Sequence, residues 1–262
     1  MSIPDTWHHG LVAEWWAHFN TQGPEIEYLG ARVADAQPVL DAGCGTGRLL
    51  VPWIRAGLDV DGCDASTDMI RLCRDRARRE GHDPTLFVQA LHELDPPRRY
   101  GAIVVCGVFG LGSTRGQDQE ALSRLLRSLE PDGVLFLDNE VPYANERMWA
   151  RWAKTERDAL PTDWSDDDEW RRAPDGAEFL LTSRVLSVDP LDQCVQLAIR
   201  AEKREHGEAR IEHWQLSMRL YFRDELVLML ERAGFGSVRV EGAYTGREPT
   251  PDDHSLLFIA SR

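Results

Sequence analysis

The sequence predicts an α/β protein built on a doubly wound, mostly parallel sheet that is interrupted late in the chain by an antiparallel β layer. Three observations carry this expectation. Val39-Leu40-Asp41-Ala42 is a short β-preferring run that ends in the glycine turn Gly43-Cys44-Gly45-Thr46-Gly47-Arg48, after which Leu49, Leu50 and Ile54 take up helical spacing. About twenty residues on, Leu58 to Asp64 forms a second strand-like run that ends in a carboxylate. From there strand-like and helix-like runs alternate, as the crossovers of a parallel sheet require.

Taken in order, Leu11, Val12, Trp15, Trp16 and Phe19 make an amphipathic helix near the start, whose aromatic side either packs or closes over a ligand. After Ser66, Met69, Ile70, Cys73 and Ala77 form the inner stripe of a helix, and Arg71, Arg74, Arg76, Arg78 and Arg79 form its solvated face or, as the alternative, a local basic patch. Residues 85–89 and 102–106 read as the third and fourth strands and 134–137 as the fifth. Between the last two, Leu122, Leu125, Leu126 and Leu129 give one apolar helical face that Pro131 and Gly133 stop. Leu226, Met229, Leu230 and Ala233 repeat the helical stripe up to Gly234, and 238–240 and 256–260 supply two closing strands.

The expected organisation is a core domain of residues 1–143 and 221–262, with residues 144–220 inserted as a lid and a three-stranded antiparallel subdomain. Val195, Leu197 and Ile199 alternate with polar or small neighbours, as do Trp214, Leu216, Met218 and Leu220. Turns at Asp189-Pro190 and His206-Gly207 bound the middle strand, and a less regular strand over 179–188 precedes it. The layer serves as a substrate lid or as a homodimer surface. Trp149, Trp152, Trp164 and Trp170, with Asp163, Asp166, Asp167, Asp168 and Glu169 among them, either attract a cationic substrate or form packed rings beside a solvated acidic loop.

Composition narrows the function. A formal charge of −14 over 262 residues opposes nonspecific binding to nucleic acid, whose phosphates are met by lysine and arginine. The apolar runs are too short for a membrane span, and Met1-Ser2-Ile3-Pro4-Asp5 lacks the basic start of a secretion signal, so a cytoplasmic location is expected. Five cysteines form no C-x-x-C pair, no His/Asp/Glu set has metal-ligand spacing, and reduced thiols without a metal are expected.

A glycine turn between strand and helix offers bare backbone to a nucleotide-like ligand, and a carboxylate ending the next strand can accept hydrogen bonds from ribose hydroxyls. The turn here is G-C-G-T-G rather than the G-x-G-x-x-G of dinucleotide sites. With G-C-D-A-S-T-D-M-I at 62–70, the strand at 102–107 and L-E-P-D-G-V-L-F-L-D at 129–138, all in order, the chain resembles the class I, Rossmann-like S-adenosylmethionine-dependent methyltransferases of small-molecule type. The resemblance implies a seven-stranded sheet with an antiparallel last strand, S-adenosylmethionine as cofactor and S-adenosylhomocysteine as product. It also implies a small-molecule acceptor, with an amine ahead of oxygen or carbon. Carried onto this chain, it puts Asp41, Gly43 and Gly45 around the methionine portion and Gly47 in the adjoining turn. Asp64 takes the ribose, and Ala65 and Met69 flank adenine. Cys106, Gly107 and Phe109 lie close by at the fourth strand's end.

Many relatives have an acid near position 90, where Ala90 and Leu91 here offer only backbone, with Gln89 or His92 as substitutes. Glu140 and Tyr143, at the carboxyl end of the fifth strand, are the candidate catalytic pair, with capping and packing as their alternative. His8 and His9 are either bases titrating near neutrality or exposed terminal residues. A nonmethylating reaction such as cyclisation, or a noncatalytic cofactor-binding scaffold, are the alternative functions for this fold.

Overall fold

The computed structural model describes residues 6, 8–165 and 169–262. Helices α1 (Gly10–Phe19) and α2 (Pro24–Val33) come first, the latter opened by a proline whose missing N–H costs nothing in a first turn. Strand β1 (Val39–Ala42) is buried at every position and runs through the glycine turn into α3 (Leu50–Arg55). β2 (Val60–Asp64) leads to α4 (Thr67–Arg79), where the Ser66 hydroxyl accepts from the Met69 N–H as an N-cap and Met69, Ile70, Cys73 and Ala77 are the buried stripe. β3 (Leu86–Val88), a 3-10 turn (Leu91–Glu93) and β4 (Tyr100–Val105) follow. A reciprocal Thr114/Gln117 capping box then starts α5 (Arg115–Ser128).

Next come β5 (Leu129–Glu140) and two short helices, α6 (Glu146–Ala150) and α7 (Lys154–Arg157). An antiparallel run follows, of β6 (Arg171–Arg172), β7 (Glu178–Asp189), β8 (Cys194–Glu205) and β9 (Glu208–Arg219). Helix α8 (Arg223–Ala233), β10 (Ser237–Gly242) and β11 (Ser255–Ser261) close the chain. The main sheet has seven strands in the order β10-β11-β5-β4-β1-β2-β3, with β11 antiparallel to both neighbours and the other pairs parallel. The strand order reverses beside β1 and β4, whose carboxyl ends are where an open α/β sheet leaves a crevice for a ligand. Among the described residues no helix is long and apolar enough to cross a membrane.

Three elements depart from the sequence reading. β5 is a twelve-residue strand rather than 134–137, and Pro131 and Gly133 do not stop the preceding helix. The helix has already ended at Ser128, and the Glu130–Gly133 stretch bulges: Tyr100 pairs with Leu129 while Ala102 pairs with Val134. The antiparallel sheet has four strands, because the two-residue β6 pairs Arg171 with Phe179 and Arg172 with Glu178. Helix α1 turns its aromatic side to this second sheet: Leu11 and Val12, with Trp15, Trp16 and Phe19, pack on Phe179, Ile199 and Ala201.

One carboxylate from α4 and one from β9 hold the start of α1. The Gly10 N–H donates to Asp68 Oδ2 at 2.9 Å and the Leu11 N–H to Glu212 Oε2 at 2.8 Å, supplying acceptors for N–H groups that a helix leaves unmatched. Phe179, fully buried, is the central ring of this contact. Phe179→Ala is expected to cost about 3–5 kcal/mol of unfolding free energy, the range for emptying a buried aromatic site. Urea unfolding followed by tryptophan fluorescence measures it, and a loss below 1 kcal/mol would show that α1 is not anchored there.

Candidate active site

The parallel register that sets Ala42 beside Cys63 brings the glycine turn and Asp64 to one place at the carboxyl edge of the sheet. The N–H groups of Gly43 and Cys44 both donate to the Cys63 carbonyl at 2.8 Å, folding the turn back over β2. The next N–H, from Gly45, reaches Asp64 Oδ2 at 3.0 Å, while the Ser66 N–H reaches Asp64 Oδ1 at 2.8 Å. Gly45 has φ +53°, a left-handed backbone that side chains resist, and a Cβ built on it would meet nothing within 4 Å. Gly45 thus presents bare backbone to open space, whereas a Cβ on Gly43 or Gly47 would meet Val108 or Cys73.

Beneath it lies Asp41, 2% exposed, whose Oδ2 has no hydrogen-bond partner among the described residues. Burial pushes its carboxyl up to about 7, against the pull of the Leu50 N–H, and the nearby Asp64 charge adds to the rise. Burial likewise pushes Asp64 up to about 6, opposed by its hydrogen bonds from Ser66 and Gly45. Arginine and lysine pair widely with carboxylates elsewhere in the chain, among them Arg98 with Asp59 and Asp61. Among the described residues no cation pairs with Asp41 or Asp64.

A cavity of about 510 Å³ opens over this edge. Of the residues named from the sequence, Gly43, Asp64, Ala65, Ala90 and Leu91 line it, and Gly45 stands beside them through its bond to Asp64. Asp41, Gly47, Met69, Cys106, Gly107 and Phe109 are not in its lining; Phe109 is buried against Tyr221, with ring centroids 5.5 Å apart. Gln89 and His92 do line the cavity, but the Gln89 side-chain carbonyl accepts from the Asp95 N–H and His92 Nε2 meets Gln117 Nε2 at 3.0 Å.

Thr6 and His8 form part of the cavity wall. His8 Nδ1 lies 2.6 Å from Thr6 Oγ1, and its backbone carbonyl accepts from Ser66 Oγ at 2.5 Å, which latches the N-terminal segment to the β2–α4 turn. Burial, with a smaller push from His9, lowers the His8 pKa to about 4, so its imidazole is neutral at pH 7. The wall is completed by the segment after β4, including Val108, Leu111, Gly112 and Ser113.

Asp138 is the β5 residue that reaches the end of β4. Its Oδ1 accepts from the Gly107 N–H, and its Oδ2 accepts from Cys106 Sγ at 3.3 Å and from the Tyr244 hydroxyl. Arg48 reaches the same thiol, with Nη2 3.6 Å from Cys106 Sγ, and pairs with the buried Glu25 of α2. Neither Glu140 nor Tyr143 lines the cavity: Glu140 is exposed, and Tyr143 rests edge-on against Trp149 at 6.3 Å.

The tryptophans divide into two groups. Trp149 and Trp152 meet at a tilt and each meets Phe222 edge-on, whereas Trp164 and Trp170 lie under the guanidinium groups of Arg184 and Arg204. Asp163 and Glu169 are exposed; Asp166, Asp167 and Asp168 lie outside the described residues.

Residues 39–133 match a family model described as a methyltransferase domain. A provisionally named methyltransferase of Geobacillus sp. (strain WCH70) is 22% identical over 87% of this chain and 85% of its own length. A dTDP-3-amino-3,6-dideoxy-alpha-D-glucopyranose N,N-dimethyltransferase of Streptomyces fradiae is 31% identical over 39% of each chain. The X-ray structure of a sugar N-methyltransferase from Streptoalloteichus sp ATCC 53650 superposes with a TM-score of 0.70 at 16% identity, covering 100% of this chain and 98% of the other.

The raised carboxyl groups fix a pH dependence of the ligand-free protein. A carboxyl whose pKa is higher folded than unfolded binds its proton more tightly when folded, so stability rises as pH falls from about 7 towards the unfolded value of about 4. Asp41→Asn, which is neutral at every pH, is expected to melt above the wild type at pH 8, with the gap closing steadily towards pH 4. Thermal melts across that range test this, and a gap independent of pH would mean that Asp41 carries no penalty of burial.

Proposed function

Since this chain is a Rossmann-like S-adenosylmethionine-dependent methyltransferase, we propose that it transfers the methyl group to an amine of a small-molecule acceptor, bound beside the cavity walled by Asp64 and His8. The observation that carries the cofactor assignment is the Asp64 carboxylate. Both its oxygens are fixed by backbone N–H groups, yet each keeps a lone pair for the paired hydroxyls of a ribose. Its neighbour Asp41 has a buried oxygen without a partner, which suits a ligand carrying positive charge at its sulfur and amino groups. Gly45 leaves room for that end of the ligand, Gly43 lines the cavity with its missing Cβ accommodating Val108, Ala65 lines the adenine side, and Ala90 and Leu91 offer their backbone there. Amine as acceptor is supported by the nitrogen-directed reactions named for the Streptomyces and Streptoalloteichus proteins.

The cofactor, when bound, supplies a methyl group made electrophilic by its positively charged sulfur. What the chain supplies is placement, and well-oriented reactants gain on the order of 7 to 11 kcal/mol from it. His8 is suited to orienting the acceptor nitrogen by a hydrogen bond. It is a poor acceptor for an ammonium proton, because a group of pKa about 4 does not deprotonate an alkylammonium of pKa about 10. The reactive acceptor is therefore the free amine.

Two measurements test this reading. Incubation with methyl-labelled S-adenosylmethionine and a panel of small amines is expected to give labelled product, at a rate that rises with pH as the acceptor amine loses its proton; a product without label would transfer the case to a nonmethylating reaction. Asp64→Ala is expected to weaken S-adenosylhomocysteine binding by about 1.5–3 kcal/mol, the range for a hydrogen bond to a charged group. Calorimetry showing undiminished affinity would remove Asp64 from the site.

A further inference from the structure

The second sheet has one apolar and one polar face, and the polar face is not simply exposed. Register across β7, β8 and β9 puts Arg184, Ala198 and Gln215 in one row and Ser187, Gln196 and Ser217 in another on the same side. Val185, Leu197, Leu216 and Met218 belong to the opposite side, where Val185 and Leu197 pack with Trp152 and Leu160. The polar side floors a cavity of about 970 Å³.

One wall of that cavity is made by Gly112, Ser113 and Gln117, which also line the cavity beside Asp64, so the two spaces share a wall. Backbone bonds hold the wall in place: the Gly112 N–H donates to the Ser217 carbonyl at 2.7 Å and the Arg219 N–H to the Gly110 carbonyl at 2.9 Å. Across the floor, Trp164 is strapped along β7 by the Thr162 N–H to the Val185 carbonyl at 2.9 Å and the Ser165 N–H to the Ser183 carbonyl at 2.8 Å. The Trp164 ring lies 4.7 Å from the Arg184 guanidinium and 6.0 Å from the His213 ring.

Asp189 and Asp192 line the cavity at the β7–β8 turn, where Asp189 Oδ1 accepts from the Leu191 and Asp192 N–H groups, and among the described residues neither pairs with Arg184. Arg184 Nε is sealed from solvent without a hydrogen-bond partner, and Thr182 Oγ1, two residues away on the same side of β7, is in the same state. Among the described residues Arg184 has no carboxylate partner. The neighbouring arginines are engaged: Arg219 donates to the Ser113 and Asp192 carbonyls, and Arg200 pairs with Glu202. A guanidinium held against an aromatic ring, with a buried unmatched N–H, suits side-on recognition of a planar carboxylate or of a phosphate.

We infer that this groove holds the methyl acceptor, which carries a carboxylate or phosphate arm gripped by Arg184 against Trp164 and directs its amine towards the shared wall at Gly112–Gln117. The inference rests on the reading above that the cavity beside Asp64 holds the methyl donor. It makes the acceptor an anionic amine longer than a simple alkylamine, since its two functional groups must span the floor of the sheet.

The test uses the full chain with S-adenosylhomocysteine, ¹⁵N-labelled at tryptophan, with the Trp164 indole signal assigned by its loss in Trp164→Phe. Titration with succinate and, separately, with inorganic pyrophosphate is expected to move that signal saturably with at least one of them; the responding anion identifies the arm as carboxylate or phosphate. Arg184→Gln should weaken that anion at least tenfold while leaving S-adenosylhomocysteine affinity unchanged, and Arg184→Lys should weaken it less. The absence of a saturable shift with either anion in the wild type, or an unaltered titration in Arg184→Gln, overturns the inference. Failure of S-adenosylhomocysteine to bind would instead sink the donor reading, and the anion titration is then run without it and judged by the same two outcomes.

Discussion

Two carboxylates near the carboxyl ends of adjacent parallel strands, Asp41 sealed and Asp64 half-buried, impose the constraint around which the rest of this site is arranged. Asp64 is tolerated there because the glycine turn and the first residues of the β2–α4 connection aim N–H groups at it. Those bonds in turn hold the turn in shape, with Gly45 in a left-handed conformation. Asp41 has less help, and its raised pKa records the imbalance. On the proposed reading, a positively charged ligand seated on the turn would offset the cost of burying Asp41.

The same turn organises the N-terminal segment. Ser66 caps α4 with one contact and donates to the His8 carbonyl with another, while Asp68, in the first turn of that helix, accepts from Gly10 at the start of α1. Asp64, Ser66 and Asp68 therefore act in sequence along one short stretch, on the ligand side, on the helix and on the chain that covers both. His8 enters the cavity wall through this latch and not through any property of the helix that follows it.

How much of this was legible in the sequence depends on how local each signal is. The β1 turn and Asp64 are readable because strand, glycines and acid lie within one short unit whose geometry is dictated by backbone sterics. The alternating ribbon was readable for the same reason, but β6, at two residues, is too short to show any periodicity. Pro131 and Gly133 carried a true signal of irregularity that was read as a helix stop, whereas the tertiary pairing with β4 absorbs them as a bulge. Asp138 stood in a stretch rich in candidates, and what distinguishes it from Glu140 is its bond to the Gly107 N–H, thirty-one residues away. Tyr244, in the connection between β10 and β11, had no local mark at all. Its hydroxyl meets Asp138 only because β11 inserts between β5 and β10.

The second sheet is tied to the core in ways that bear on how the protein can move. Its β9 edge is hydrogen-bonded to Gly110 and Gly112, Glu212 of β9 accepts from α1, and directly after β9 the Tyr221 hydroxyl donates to the buried Asp118 of α5 at 2.5 Å. Three attachments to different core elements leave little freedom for the sheet to swing as a unit. The strap that carries Trp164 has its backbone bonds to β7 and its ring against His213 of β9. On the proposed reading, the depth and charge of the groove are set by the side chains of β7 to β9, independently of the turn that would serve the donor. Acceptor choice and donor binding can in that way be encoded in separate parts of one chain while sharing a single wall.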